Sequence, residues 1–434
     1  MTRSLTPRHF TIPLTIAASL VMAPRAAYGE AKDMPGMKTM PQAEHSESAM
    51  PAMPMSDMST MPAAPMMGAS MASPGVVMQS LGPTFLGRIL RASRITVSGW
   101  FDISATASSA QHDNTPLSFN YRANEFLLQQ AWLRIDRPVD RKGTEVSWGF
   151  RSDWLFGSDY RYTLARGIFN SQLTTDHGKP ATYGVDPIQF YVEAYFPRFL
   201  RGLEVKLGRF SMIHGVEMNE APMNLLASHN YDYPADPFTH TGLLATAHLT
   251  GQWTLQAGIT TGSDVFLGPA AAVTFIGGLR WIGANQRTSL ACFAIVGPGR
   301  YNQAENFDNR QLFDVVLFRQ FTRKLTYLAE GAFGFQDGVP DIGTAIWYGL
   351  VQYVTYAFTN KLRGTFRLEF FNDVAGQRTG FSGLYTGITA GVGYRPTHGL
   401  VFRPEVRFDT QNRALPFENK PSLFTATLDA IARF

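Results

Sequence analysis

The chain has 434 residues, of which 17% are charged, 13% are aromatic and 39 are glycine. Its formal net charge is only +4, part of it from arginines near the N-terminus, which argues against nucleic acid as a partner. A single cysteine, Cys292, excludes an internal disulfide and a multi-cysteine metal site, and reads as a small apolar filler in mid-strand.

Arg3 and Arg8 precede an apolar run from Phe10 to Ala23, and Ala27-Tyr28-Gly29 offers small residues at the positions a signal peptidase reads. Residues 1–29 are therefore expected to be a secretory signal peptide, cleaved after Gly29. Beyond it no run approaches the roughly 18 uninterrupted apolar residues of a spanning helix. An exported chain of this kind, rich in alternating strands, belongs to the periplasm or the outer membrane. Within lipid only a closed barrel satisfies every backbone group.

Residues 30–90 are expected to form a disordered arm, its Met, Pro, Ala and Ser bias strongest up to about 80. Met34, Met37 and Met40 are spaced by three, as are Met50 and Met53, then Met55, Met58 and Met61; Met66, Met67, Met71 and Met78 follow. Thioethers are soft ligands that suit Cu(I), and His45 offers a nitrogen. Two readings stand: a Cu(I)-binding arm, or a flexible tether in which Met is merely apolar.

Residues 91–434 read as a transmembrane antiparallel β-barrel of about sixteen strands, an all-β fold. The strands are placed near 95–105, 124–136, 144–154, 188–196, 202–210, 238–249, 252–261, 273–282, 287–296, 311–321, 324–336, 344–358, 361–371, 383–395, 399–409 and 423–434. Long connections follow the odd strands and short ones the even strands. That parity is what a barrel with both ends on the periplasmic side produces, and a soluble sandwich has no reason to keep it. In the last strand Phe424, Ala426, Leu428, Ala430, Ala432 and Phe434 are apolar at every second position, against polar Thr425, Thr427, Asp429 and Arg433, with Ile431 the exception.

A barrel of this size is too wide to fill with side chains, so its inward positions are expected to be polar and wet. Glu145, Ser147, Arg151 and Asp153 alternate with apolar neighbours, as do Glu204 and Lys206, then Arg363, Arg367 and Glu369, then Arg403, Glu405, Arg407 and Asp409. A charge facing lipid at mid-bilayer costs roughly 2–4 kcal/mol, so these residues face the lumen. Arg151, Lys206, Arg363, Arg367, Arg403 and Arg407 are the expected pore-lining bases. The plainer reading is that such groups pair across strands and only keep the wall wet.

The stretch 208–242 carries Gly208-Arg209-Phe210, His214-Gly215, Glu217, Ala221-Pro222, Ser228-His229 and Phe238-Thr239-His240-Thr241-Gly242. With Trp148-Gly149-Phe150-Arg151-Ser152-Asp153 and Gln189-Phe190-Tyr191-Val192-Glu193 upstream, it resembles the OmpL-like family of outer-membrane β-barrel porins, the second such family. The match is specific over about 124–262 and elsewhere rests on strand rhythm. The resemblance implies passive transport and names no solute. Gly242 also has a purely structural reading, as the point where a neighbouring strand comes close.

The third long connection, 211–237, holds Glu217, Glu220, Asp232 and Asp236 with no Lys or Arg, together with His214 and His229. As in general porins, it is expected to fold into the barrel, narrow it, and face the wall arginines across the opening. The alternative is a loop on the rim whose carboxylates bind divalent ions among lipopolysaccharide heads. The spacing of the two histidines is not diagnostic of a metal. The function expected is an outer-membrane porin for small hydrophilic solutes or ions, in contact with lipid and lipopolysaccharide and, by resemblance, trimeric. The competing reading is a copper- or silver-handling outer-membrane protein that uses the Met-rich arm. No nucleophile–base spacing, phosphate loop or zinc pattern points to an enzyme.

Overall fold

The computed structural model describes residues 75–173, 181–298 and 309–434. The expected signal peptide and the methionines from Met34 to Met71 lie outside the described residues.

Sixteen strands close into one antiparallel barrel: β1 (Thr96–Ser108), β2 (Phe126–Arg137), β3 (Ser147–Gly157), β4 (Gly184–Phe196), β5 (Leu203–Ser211), β6 (Thr239–His248), β7 (Trp253–Ser263), β8 (Thr274–Ile282), β9 (Thr288–Val296), β10 (Arg310–Gln320), β11 (Leu325–Val339), β12 (Gly343–Ala357), β13 (Leu362–Asp373), β14 (Gly383–Thr397), β15 (Leu400–Gln411) and β16 (Ser422–Arg433). Each strand pairs with its neighbours in sequence, and β1 pairs with β16. The expected alternation of short and long connections holds except after β11, where the expected long connection at 337–343 shrinks to residues 340–342 because β11 and β12 extend further than the sequence suggested.

Side-chain parity follows from the two solvents on either side of the wall. On β3, Trp148 and Trp154 point outward and are exposed while Asp153 is fully buried. On β16, Phe424 and Leu428 are exposed outward and Asp429 is buried inward. The exception, Ile431, faces inward and packs with Trp100, Trp132, Leu155, Ile188, Ala221 and Val401. Cys292, on β9, is exposed on the outer face between Leu290 and the neighbouring strands, so it fills no interior gap.

The interior departs from the wet, polar lining expected. On β8 to β12, Ile276, Phe293, Ile295, Leu312, Val316, Phe318, Leu328 and Val351 point inward and are buried in one apolar cluster with Ile213, Val216, Met218 and Leu226 of the third long loop. A loop that enters the barrel needs an apolar wall to lie on, and this face supplies it.

Residues counted with the arm differ as well. Two helices, α1 (Val76–Leu81) and α2 (Phe85–Ala92), precede β1. Thr84 caps α2 by accepting from the Gly87 amide at 3.0 Å. Met78 is buried in α1.

The β1–β16 seam is fastened at both ends. At the short-turn end the Phe434 amide donates to Gly99 O at 2.9 Å and the Gly99 amide to Phe434 O at 3.1 Å. The Phe434 ring lies over Gly99, where a Cβ would come within 2.5 Å of it. At the long-loop end the Glu418 carboxylate accepts from the backbone amides of Gln111, His112 and Asp113 at 2.6, 2.7 and 3.2 Å. Those donors, that of Gln111 first, hold the Glu418 carboxyl at about 2, below its ordinary 4.5. A depressed folded-state pKa means stability that is present above pH 4.5 and lost as pH falls through about 2. The difference in urea stability between wild type and Glu418→Gln should therefore be constant at neutral pH and vanish near pH 2; a difference that persists there contradicts the clasp.

Candidate functional site

The third long loop, residues 212–238, leaves β5 and returns as β6 through a joint that the sequence builds from glycine. Gly208 pairs with Gly242 in register. Both have positive φ, and a Cβ would come within 2.3 Å of Phe190 O at Gly208 and within 2.1 Å of Ile259 O at Gly242. Gly242 is thus the close-approach point expected. Beside it, fully buried Arg209 donates to Asp186 Oδ1 at 2.5 Å, Thr163 O at 2.7 Å and Pro187 O at 2.9 Å, fastening the second long loop. Asp264 accepts from the amides of Phe238 and Thr239 at 2.8 and 2.9 Å and fixes where β6 begins.

The loop holds its own shape with amide side chains. Asn224 accepts from the Met218 amide at 2.8 Å and donates to Met218 O at 2.7 Å. Asn219 donates to Phe238 O at 2.9 Å and accepts from the Tyr233 hydroxyl at 2.7 Å. Pro222 and Pro234 sit in its two short 3₁₀ turns, Ala221–Met223 and Tyr233–Ala235.

Its partners are inward residues of strands all around the barrel. On β13, Arg367 donates to Glu217 Oε1 at 3.1 Å and to Ser228 O at 2.6 Å. The Tyr353 hydroxyl of β12 donates to the same Glu217 oxygen at 2.5 Å, and His229 Nδ1 lies 2.7 Å from the other. On β2, Arg134 grips Asp153 of β3 with two nitrogens and reaches Glu220 Oε1 at 2.9 Å. On β15, Arg403 donates to the carbonyls of Ala221 and Asn224, both at 2.9 Å, and also binds Asp429 of β16. Glu405 accepts from the amides of Ala227 and Ser228, and Arg407 donates to His229 O at 2.5 Å. Glu369 of β13 accepts from the Tyr231 amide at 2.7 Å, and Glu330 of β11 from the Val216 amide at 3.1 Å. The loop therefore lies across the barrel interior and not on its rim.

This places the expected site residues in three groups. Arg367, Arg403 and Arg407 meet the loop directly, and so do Glu217 and Glu220 on its side. Acid and base are therefore in contact, where the sequence suggested that they face each other across an open gap: the apolar wall draws the loop close enough to pair. Asp232 and Asp236 are buried but turn towards β10 and β11, where Asp314 and Glu330 stand. Arg151 instead pairs with Asp136 at 2.9 Å, Lys206 with Glu204 at 3.3 Å, and Arg363 is half-buried in the first turn of β13 at the short-turn end. The two histidines are separated, His229 stacked on Tyr233 and His214 beside Asp236. Arg134, Tyr353, Asp314 and Glu330 were not singled out from sequence. Each lies on an inward-facing position of its strand, so the rule that an acidic or basic residue in a strand must face the lumen identifies Arg134, Asp314 and Glu330.

Arg367 is fully buried between Glu217 and Glu369. Removing one partner of a buried pair costs about 3–5 kcal/mol, because the other is left uncompensated. Arg367→Met should destabilise the barrel by about that amount in urea and expose the loop to protease, and adding Glu217→Gln should restore part of the loss. Equal stability of wild type and Arg367→Met would show that the contact does not anchor the loop.

Residues 94–434 match the family described as "Putative beta-barrel porin-2, OmpL-like". No curated protein matches the chain. Among solved structures, the outer membrane channel DcaP of Acinetobacter baumannii is similar at 12% identity and TM-score 0.51, covering 78% of this chain and 97% of that one. An anion-selective porin from Comamonas acidovorans is similar at 12% identity and TM-score 0.51, covering 78% and 99%. OprB of Pseudomonas putida is similar at 10% identity and TM-score 0.50, covering 81% and 97%. At these identities the likeness is one of fold.

Proposed function

The chain belongs to the OmpL-like beta-barrel porin-2 family, a porin-type barrel of the bacterial outer membrane, and on that premise we propose that it is a passive channel for small hydrophilic solutes or ions, narrowed by residues 212–238. The observation that carries the narrowing is the set of bonds from that loop to inward residues of β2, β11, β12, β13 and β15. The arginine–carboxylate pairs that hold the loop are buried with it, so a solute passes through their field, which favours hydrated, dipolar solutes over apolar ones. The outer face, with its apolar belt, meets lipid and lipopolysaccharide, and we extend the proposal to a homotrimer, which the mass of the detergent-solubilised protein tests.

Single-channel recording decides the central point. Wild type should conduct weakly, and deletion of 213–237 should raise the conductance several-fold. Replacing Glu217, Glu220, Asp232 and Asp236 by their amides removes four negative charges, two of them opposite Arg367 and Arg134, and should move the reversal potential in a salt gradient towards anions. Unchanged conductance on deletion removes the constriction from the reading, and absence of any current removes the channel.

We further propose that the Met-rich arm is periplasmic and separate from the pore. Gly75 backs onto the C-terminal carbonyl of Phe434, at the short-turn end of the barrel, which supports entry of the arm from that side. Soft thioether ligation favours Cu(I) over Zn(II). A peptide of residues 30–74 should bind Cu(I) in titration, and its deletion should leave conductance unchanged; a peptide that takes Zn(II) as well as Cu(I), or neither, reduces the arm to a tether.

A further inference from the structure

The loop across the barrel is held by opposite charge or by amide donors at its contacts with β2, β13 and β15. On the β10–β11 side the arrangement is different, because acid meets acid. Asp232 and Asp236 of the loop come together with Asp314 of β10 and Glu330 of β11, one carboxylate oxygen from each lying within 4.8 Å of all the others. The two wall residues are diagonal neighbours on one face, since Asp314 pairs with Ala332 and Val316 with Glu330. All four are buried. Both oxygens of Asp232, both of Asp314 and one of Asp236 have no hydrogen-bond partner. Glu330 is aimed by the Val216 amide, which its Oε2 accepts at 3.1 Å.

A second observation points the same way. His214 is 2% exposed, and neither of its ring nitrogens makes a hydrogen bond. Its Nε2 lies 3.4 Å from Asp236 Oδ2, and it shares the 4.8 Å grouping with Asp236 and Asp314. A buried imidazole, its ring 6.2 Å from that of His240, is thus turned onto the edge of the carboxylate cluster with no hydrogen-bond partner. Arg310 stands on the flank, its guanidinium donating to Ala235 O.

We propose that Asp232, Asp236, Asp314 and Glu330 bind one hard divalent cation of the Ca²⁺ class, which locks the loop to the β10–β11 wall. The size fits. Ca²⁺ sits about 2.3–2.6 Å from each oxygen, so oxygens on opposite sides of it lie about 4.6–5.2 Å apart. A cluster no wider than 4.8 Å is on the scale of one such ion. The donor set is dominated by carboxylate oxygen, which selects a hard ion over Cu(I). The cation also turns the acid–acid junction into an attractive one, next to Arg310, which already holds the loop at Ala235 O.

The test uses the full-length protein refolded free of lipopolysaccharide in detergent and stripped with EDTA. Titration calorimetry with CaCl₂ should show one site per chain, and Ca²⁺ should slow protease cleavage within 212–238. Asp232→Asn and Asp314→Asn should each weaken binding at least tenfold, while Glu145→Gln, at an exposed carboxylate paired with Arg198, should leave it unchanged. If Asp314→Asn does not fold, the loop variant and the wild-type titration still decide. Absence of binding at millimolar Ca²⁺ overturns the proposal, and would mean that the carboxyls are held by shared protons. Binding that survives both Asn variants also overturns it, and would mean that the ion sits on surface carboxylates.

Discussion

Lipid offers a strand no hydrogen bonds, and the rest of the molecule depends on that. Every inter-strand amide and carbonyl must find its partner within the sheet, so β1 has to meet β16, and the closure leaves no edge. Once the wall is closed, its outer face can carry only apolar side chains at mid-bilayer. The strands' ionised groups are displaced to the inside, and Arg134, Arg367, Arg403 and Arg407 are brought within reach of one another's carboxylates. The Gly99–Phe434 exchange and the Glu418 clasp matter because they sit at the two ends of the single junction that sequence neighbours do not form.

Inside, the wall is of two kinds. β8 to β12 present a mainly apolar surface, and β2, β13 and β15 present arginines and carboxylates. The loop 212–238 matches both, with Ile213, Val216, Met218 and Leu226 buried in the apolar cluster and Glu217 and Glu220 on arginines. Burial of a paired charge adds little net stability, because desolvation offsets most of the attraction. Its contribution is to position: a guanidinium that bonds Glu217, Ser228 and Thr389 at once permits one placement of the loop. The apolar contacts hold the loop inside, and the arginines determine where.

The strands were legible in the sequence because lipid enforces alternation and the connections keep parity. Trp148 and Trp154 against Asp153, or Phe366 and Phe370 against Arg367, leave no choice of face. The inner wall of β8 to β12 was not legible for the complementary reason. Ile276 follows Phe275, and Phe293 follows Cys292, so both faces are apolar and alternation is silent. The acidic character of 211–237 marked the loop as special, and its entry into the barrel was expected only by analogy with general porins, against the alternative of a loop on the rim. Which carboxylate meets which arginine depends on distant parts of the chain, and no local pattern records it. The helices at 76–92 were obscured by the Met- and Pro-rich composition before them, although Pro83-Thr84 ahead of Phe85, Leu86 and Ile89 is an ordinary helix start.

The loop's anchors are remote in sequence. Glu220 reaches Arg134, 86 residues earlier, while Ala221 reaches Arg403, 182 residues later. Contacts of such separation form only after the intervening chain has given up its freedom, which is why they slow folding. Ala221 cannot find Arg403 until β15 has been added to the sheet. The middle of the polypeptide is therefore the part whose final placement waits longest, and a barrel with fourteen strands in place would still hold an unfinished interior.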